Sequence, residues 1–269
     1  MQYDPIKKTL GRFFSGSLFM RKSFYFLLDL LLLRTWHVKR ALRRVFSGFS
    51  GNVSILDAGC GFGQYTWRMS RMNRSSLIKA VDIDSEHIAD CSSFFNKAGL
   101  SQRIITETLD LTKLSDINTF DLILSVDVME HIEEDEKVFG NFCNALKKNG
   151  TLIISTPSDK GGSDVHSEHD DSFIGEHVRD GYSKSDITEK LSRSGFSKID
   201  VAYTYGLPGT ISWRLSMKYP IRMLNKSYLF FILIPFWYII FFPVSLILNY
   251  FDLMISHKEG TGLLVIARK

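Results

Sequence analysis

The residues best suited to chemistry begin at Asp57, in the run Ile55-Leu-Asp-Ala-Gly-Cys-Gly-Phe-Gly63. A short apolar stretch, Val53 to Leu56, predicts a buried strand that ends in this acid. Glycines follow at 59, 61 and 63, and glycine lets the backbone turn tightly and approach a ligand closely. Polar Gln64 and Thr66 then open a helical pattern that runs to Met72. Strand, glycine turn and helix make the opening unit of a nucleotide-binding α/β fold. A phosphate-binding loop spaces its glycines G-x-G-x-x-G, whereas this one reads D-x-G-x-G-x-G. A carboxylate at its head repels a pyrophosphate and attracts an ammonium group. Further on, Leu77-Ile-Lys-Ala-Val-Asp82-Ile83-Asp84 reads as a second strand ending in acid. An acid about 20 residues beyond a glycine loop suits bidentate hydrogen bonding to ribose hydroxyls.

Three more segments continue the alternation. Ile104 to Leu111 reads as a third strand ending in Asp110, and Phe120-Asp-Leu-Ile-Leu-Ser-Val as a fourth. The fourth leads into a turn, Asp127-Val-Met-Glu-His-Ile132. Leu146-Lys-Lys-Asn-Gly-Thr-Leu-Ile-Ile-Ser-Thr-Pro157 reads as a helix end, a turn and a fifth strand. In order and interval these motifs resemble those of the class I S-adenosylmethionine-dependent methyltransferases. The resemblance covers about residues 50–206 and the last strand, Gly262 to Arg268. The Asp-Val-Met-Glu-His-Ile turn is similar to that of quinone-biosynthesis O-methyltransferases and relatives in surface-polysaccharide pathways.

The resemblance implies a Rossmann-like, doubly wound α/β sheet of six parallel strands and one antiparallel strand. It implies S-adenosylmethionine as cofactor. Asp57 would lie near the amino group of the methionine moiety, with Gly59, Cys60, Gly61 and Gly63 passing under the cofactor. Asp82 would take the ribose, with Ile83 beside it, while Asp84 and Ser85 cap the next helix. Asp110 would face the adenine amino group and Leu111 would pack on the ring. Ser125 and Val126, at the end of the fourth strand, complete the cofactor contacts.

The acceptor side is polar. The segment from Ser158 to Tyr182 follows the fifth strand, and loops at the carboxyl ends of parallel strands form the ligand crevice in such folds. Four of the seven histidines, His131, His166, His169 and His177, lie in or near it. Methyl transfer to an alcohol or phenol needs a base, for which His131 and His177 are the candidates. Transfer by proximity alone is the alternative. Arg179 is a candidate for an anionic acceptor group. His166, Glu168, His169 and Asp170 are of metal-ligating type, but such loops are common and no metal is expected.

Composition divides the 269 residues into three. Residues 1–50 form a basic, apolar segment of net charge +8, read as amphipathic helices that either meet a membrane or cover the core as a helical cap. Residues 51–206, which with 261–269 make the cofactor domain, carry −9, and residues 207–269 carry +5. Such asymmetry suits an anionic membrane or nucleic acid. Phe24 to Leu33 is too short to span a bilayer and contains Asp29. From Ser227 to Tyr250 no residue is charged, and these 24 residues reach spanning length. Pro235 and Pro243 argue against one straight helix. Trp237, Tyr238, Tyr228 and Tyr250 favour a membrane interface, and Lys218, Arg222 and Lys226 precede the tract. Strands six (Ser197 to Tyr205) and seven share one sheet, so the insertion 207–260 must return to the side it left. A membrane-associating hairpin fits, as does a buried pair or a subunit interface.

Cys60, Cys91 and Cys143 show no metal spacing and cannot all pair, which suits a reduced cytoplasmic setting. The place that would carry an Asn/Asp-Pro-Pro-Tyr/Phe motif for base methylation reads Ser125-Val-Asp-Val, so no nucleic acid is expected. The expectation is a methyltransferase, peripheral or monotopic at a membrane, acting on a lipid-like, quinone-precursor or polyprenyl-linked glycan acceptor. A soluble small-molecule methyltransferase and a non-catalytic binder of the cofactor remain alternatives.

Overall fold

A strand covered on both faces is apolar nearly throughout, and β1 (Ser54–Ala58) buries Ile55, Leu56 and Ala58 together with a single acid, Asp57. It lies at the centre of a sheet in the computed structural model, which describes residues 17–161 and 178–269. β2 (Leu77–Asp82), β3 (Ile104–Thr108), β4 (Phe120–Val126), β5 (Leu146–Pro157), β6 (Lys198–Thr204) and β7 (Gly262–Arg268) complete it. The strand order is β3-β2-β1-β4-β5-β7-β6. Only β7 runs antiparallel to its neighbours, β5 and β6. The seven-stranded mixed sheet is the one the motifs imply. Chain order reverses between β1 and β4, which makes the carboxyl ends of those strands the ligand crevice. Regular pairing of β5 with β4 starts at Thr151, after the left-handed turn at Asn149 (φ 64°).

Helices cover both faces. On one, α5 (Asp135–Ala145) and α6 (Lys184–Arg193) bury Phe139, Phe142 and Leu191 against β1, β4 and β5. On the other lie α2 (Leu33–Phe46), α3 (Gln64–Met72) and α4 (Ser85–Lys97). Val38, Ala41 and Leu42 of α2 pack with Ile55, Leu122 and Ile153, so this amino-terminal helix is part of the core. Each fully buried leucine there contributes about 2 kcal/mol. Asp84 caps α4 by accepting from the Glu86 and His87 amides, as its position predicts. Ahead of α2, α1 (Leu18–Leu31) lies over the glycine loop.

The insertion is a helical hairpin. α7 (Leu207–Trp213), a π turn (Arg214–Lys218) and α8 (Tyr219–Lys226) form one arm. A 3₁₀ turn (Tyr228–Ile232) leads into α9 (Ile234–Met254), the other arm. Trp237 Nε1 and Tyr238 OH donate to the Leu215 and Ser216 carbonyls, at 2.9 and 2.8 Å, and tie the arms together. Thr204 pairs with Gly262 across β6 and β7, so both arms spring from the crevice end of the sheet. The tract from Ser227 to Tyr250 is not one helix from end to end, and the two prolines play different parts. Pro235 sits in the first turn of α9, where no amide donor is needed, and the helix continues through Pro243. At about 1.5 Å per residue α9 is ~30 Å long. It is long and apolar enough to cross a membrane by length and composition.

Candidate functional site

The three glycines of the loop have different surroundings. All have positive φ, at 81°, 49° and 76° for Gly59, Gly61 and Gly63. A Cβ on Gly59 would lie 2.2 Å from Val128 Cγ2, and one on Gly63 2.9 Å from the Phe95 ring. A Cβ on Gly61 would meet nothing within 4 Å. Gly61 therefore faces the open side, where a ligand has room. The Gly59 and Cys60 amides both donate to the Val81 carbonyl, at 2.9 and 2.8 Å, and so lock the loop to β2. The Cys60 thiol is buried beside Cys91, leaving its backbone as the structural element.

Asp82 is held by both oxygens. Oδ2 accepts from the Gly61 amide at 2.8 Å and Oδ1 from the Asp84 amide at 2.9 Å. Each oxygen keeps a further lone pair for a ribose hydroxyl. Ile83, next in the chain, is 61% exposed at the end of its strand, a free apolar surface for a flat ring. Asp110 is partly committed, since its Oδ1 accepts from the Thr112 amide and hydroxyl. Those bonds hold its carboxyl below the usual range. Leu111 is buried in the core and offers less surface than Ile83. Ser125, next to last in β4, has its hydroxyl buried and without a partner among the described residues, and Val126 at the strand's end is half-buried.

Asp57 is buried beneath the loop, with its carboxylate accepting from the Thr66 hydroxyl. Burial pushes its pKa up to about 7, the Thr66 bond opposes this, and the nearby Asp82 charge adds to the rise. An ammonium group would restore its charge. Open space at Gly61, spare lone pairs on Asp82, the orphaned Ser125 hydroxyl and an acid seeking a cation suit S-adenosylmethionine.

A helical cap over the core is one of the two readings of the amino-terminal segment, but the grip of α1 on the glycine loop is not legible in the sequence. Arg21 and Tyr25, one turn apart on its inner face, both donate to the Phe62 carbonyl in the glycine loop. The Arg21 guanidinium is buried among the Tyr25, Phe62 and Phe94 rings and pairs with Asp90. Asp29 takes a hydrogen bond from Gln64 Nε2 (2.8 Å) and pairs with Arg68, so α1 also grips the start of α3. The one acid in that apolar run was the available signal.

On the acceptor side, β4 ends at Val126 and Asp127 turns the chain with φ 51°. The 3₁₀ turn Met129–His131 follows, leaving Glu130 buried and His131 exposed at the crevice mouth. Glu130 accepts from the Thr156 hydroxyl at 3.1 Å, and burial raises its pKa against the opposing charges of His131 and Arg34. Arg34 pairs with Asp127, and its backbone amide donates to Tyr205 OH at 2.8 Å. Neither Arg34 nor Tyr205 was singled out by the sequence.

Arg179 is a correction. It pairs with the buried Asp135 and donates to the Ile132 and Glu133 carbonyls, so it braces the turn instead of facing an acceptor. Lys190 Nζ and Tyr182 OH complete the ring around Asp135, each at 2.8 Å. His177, with His166, Glu168, His169 and Asp170, lies outside the described residues. A groove of about 530 Å³ between Arg44, Lys198 and Arg268 is at the opposite end of the sheet from these motifs.

Fold and site define a methyltransferase domain of the S-adenosylmethionine-dependent class. Residues 49–195, more than half of the chain, match the family described as "Methyltransferase domain", and the chain belongs to it. Among curated proteins it is similar to a mitochondrial ubiquinone biosynthesis O-methyltransferase of Candida albicans. The two are 25% identical over 128 residues, 47% of this chain and 38% of the relative. It is also similar to a tRNA U34 carboxymethyltransferase of Aeromonas hydrophila, 28% identical over 127 residues, covering 47% and 38%. The match spans less than half the length of either relative. Among solved structures, phosphoethanolamine N-methyltransferase 2 of Haemonchus contortus, bound to S-adenosylmethionine, shares the fold. Its TM-score is 0.64 at 18% identity, over 100% of this chain and 60% of that one.

Proposed function

We propose that this protein transfers a methyl group from S-adenosylmethionine to an oxygen of a lipid-like, quinone-precursor or polyprenyl-linked acceptor at a membrane surface. The observation that carries the membrane half of this reading is the inverted polarity of α9. Its buried residues are Ser245, Asn249 and Asp252. Its exposed face is Phe236, Ile239, Ile240, Val244, Ile247, Tyr250, Phe251 and Met254. In water such a helix is inside out, and in a bilayer surface it is not. Phe231, Ile232 and Leu233 continue the apolar surface at the hairpin tip, all more than half exposed. Lys218, Arg222 and Lys226 stand just before that tip. Basic residues near anionic lipid contribute about 1 kcal/mol each.

The chain's own residues divide the work. Asp57, Gly59, Cys60, Gly61, Gly63, Asp82, Ile83, Asp110, Leu111, Ser125 and Val126 would hold the cofactor. The cofactor, when bound, supplies an electrophilic methyl on a sulfonium. His131 at the mouth, and His177, are the candidates to take the acceptor's proton. The hairpin would set the crevice against the bilayer, so that an acceptor could enter without crossing water.

Flotation of the full chain with phosphatidylcholine–phosphatidylglycerol vesicles tests this. Co-flotation that is lost in Phe236→Asp/Ile240→Asp is the expected result. Equal flotation of both proteins, or flotation of neither, would remove the membrane from the reading. Equal labelling of RNA and lipid from S-adenosylmethionine would instead favour an acceptor like that of the tRNA relative.

A further inference from the structure

We infer that Arg34 and Tyr205 form a subsite for an anionic oxygen group, a phosphate or carboxylate, carried by the methyl acceptor. The inference rests on the methyl-transfer reading above and names a chemical feature of its acceptor.

Position comes first. Arg34 stands in the first turn of α2, and its side chain reaches Asp127, the residue that follows β4. Its neighbour Thr35 lies 3.4 Å from Tyr65 OH and 3.5 Å from Gln64 Nε2, at the start of the helix that follows the glycine loop. The Arg34 charge is also felt by Glu130, next to His131. Arg34 thus stands between the cofactor loop and the turn that carries the candidate base. Tyr205, just past the end of β6, closes the same corner.

Availability comes second, and the contrast is with Arg179. That guanidinium is spent on Asp135 and two carbonyls. Among the described residues the Arg34 side chain has one partner, Asp127, and the two are 30% and 36% exposed. A half-exposed ion pair contributes little to stability, so an incoming anion can displace Asp127 at small cost. The planar guanidinium has five donors and suits bidentate binding of a carboxylate or phosphate. Tyr205 OH accepts from the Arg34 amide, which leaves its own proton without an acceptor among the described residues. Burial keeps that hydroxyl protonated and therefore a donor.

Strain comes third. Tyr205 has φ 55°, a left-handed conformation that an aromatic residue rarely adopts. Its surroundings enforce this. The Tyr205 amide donates to Asp252 Oδ2 at 3.2 Å, and its carbonyl accepts from the Thr261 amide and Thr210 hydroxyl, each at 3.2 Å. Asp252 is itself fixed by His37 at 2.9 Å, His257 at 3.1 Å and the Gly209 amide at 2.9 Å. Strain held by this many partners is a mark of ligand sites. Asp252 belongs to α9, so the helix with the apolar outer face also sets the tyrosine.

The test is a calorimetric titration of the full chain, saturated with S-adenosylhomocysteine. The probes are phenyl phosphate and dodecyl phosphate below its micelle concentration, with phenol and dodecanol as uncharged controls. Wild type should prefer each phosphate over its alcohol. Arg34→Gln should weaken phosphate binding roughly tenfold or more, Tyr205→Phe about threefold to tenfold, and Arg34→Lys should restore part of the loss. S-adenosylmethionine affinity should stay within about twofold in all three variants. Tighter binding of the dodecyl than the phenyl ester, both lost in Arg34→Gln, supports a lipid-borne anion. Equal binding, both lost, supports a water-soluble one. A wild type that does not prefer phosphates, or variants that bind them unchanged, overturns the subsite. So does a parallel loss of cofactor affinity in the variants, which assigns both residues to the fold alone. Failure of wild type to bind S-adenosylmethionine strikes the methyl-transfer reading itself.

Discussion

The sheet and the hairpin obey opposite polarity rules. In the sheet, Leu56, Ile123, Leu152 and Ile153 are fully buried, and the one buried strand acid, Asp57, lies next to the glycine loop. In α9 the buried positions are Ser245, Asn249 and Asp252, and the most exposed residues are aromatic and aliphatic. One chain contains both patterns, so the difference lies in what each region meets. The sheet meets water across its helices, whereas the outer face of α9 is the one the proposed membrane surface would cover. Much of the polar interior of the hairpin is hydrogen-bonded: Ser212 Oγ donates to the Ser245 carbonyl and Asp252 collects two histidines and two amides, whereas the buried Asn249 Oδ1 has no partner among the described residues.

The comparison can be broken by measuring what each kind of buried group contributes. Leu42→Ala, in the core under the sheet, should cost about 2–5 kcal/mol in chemical denaturation. Asp252→Ala should cost a similar amount, about 3 kcal/mol, because it strands His37 and His257. If Asp252→Ala is neutral, the polar interior of the hairpin is ornamental and the contrast fails. Cofactor binding comes next in size. Asp82→Ala removes the anchor of the Gly61 amide and the two hydrogen bonds proposed to ribose, and should weaken S-adenosylmethionine binding by about 30-fold or more. Gly59→Ala drives a methyl into Val128 at a positive φ, and should cost about 2 kcal/mol or more in a thermal melt. Gly61→Ala has open space and should cost stability only about 1 kcal/mol, yet impair cofactor binding.

Smaller effects sharpen the picture. Ile240→Ser and Ile247→Ser, on the outer face of α9, should change stability by less than about 0.5 kcal/mol. A large loss there would mean the face is covered by protein. The pH dependence follows from Asp57, whose pKa is raised to about 7 in the folded state. A raised acid pKa means the unfolded chain releases this proton first. Stability without cofactor should therefore fall as pH rises from about 4 to about 7 and level off above. An ammonium ligand needs the ionised form, so S-adenosylmethionine affinity should rise roughly tenfold between about pH 6 and pH 7.5. In Asp57→Asn the affinity should be flat across that range, which isothermal titration would show.

The elements that carry the candidate cofactor residues could be read because they are local. Asp57 lies in β1 just before the glycine loop, Asp82 ends β2, and Asp110 stands two residues past β3, so sequence order gives spatial order. The acceptor half could not, because its parts meet only in the fold. Arg34 and Tyr205 are 171 residues apart, and His37 and Asp252 are 215 apart. No periodicity reports such contacts. What the sequence did offer were two isolated acids in apolar runs, Asp29 and Asp252, and each proves to bind a separate part of the chain. Arg179 misled for the complementary reason: a basic residue in a polar loop reads as free until Asp135 is found beneath it.

Methyl transfer from labelled S-adenosylmethionine into a membrane-containing cell extract, followed by organic–aqueous partition, tests the central claim most directly, with Asp82→Ala as the blank. Label in the organic phase that is absent from the blank is the predicted result. Label confined to the aqueous phase, or equal in enzyme and blank, would contradict a lipid-like acceptor and leave the outer face of α9 to be explained by a protein partner.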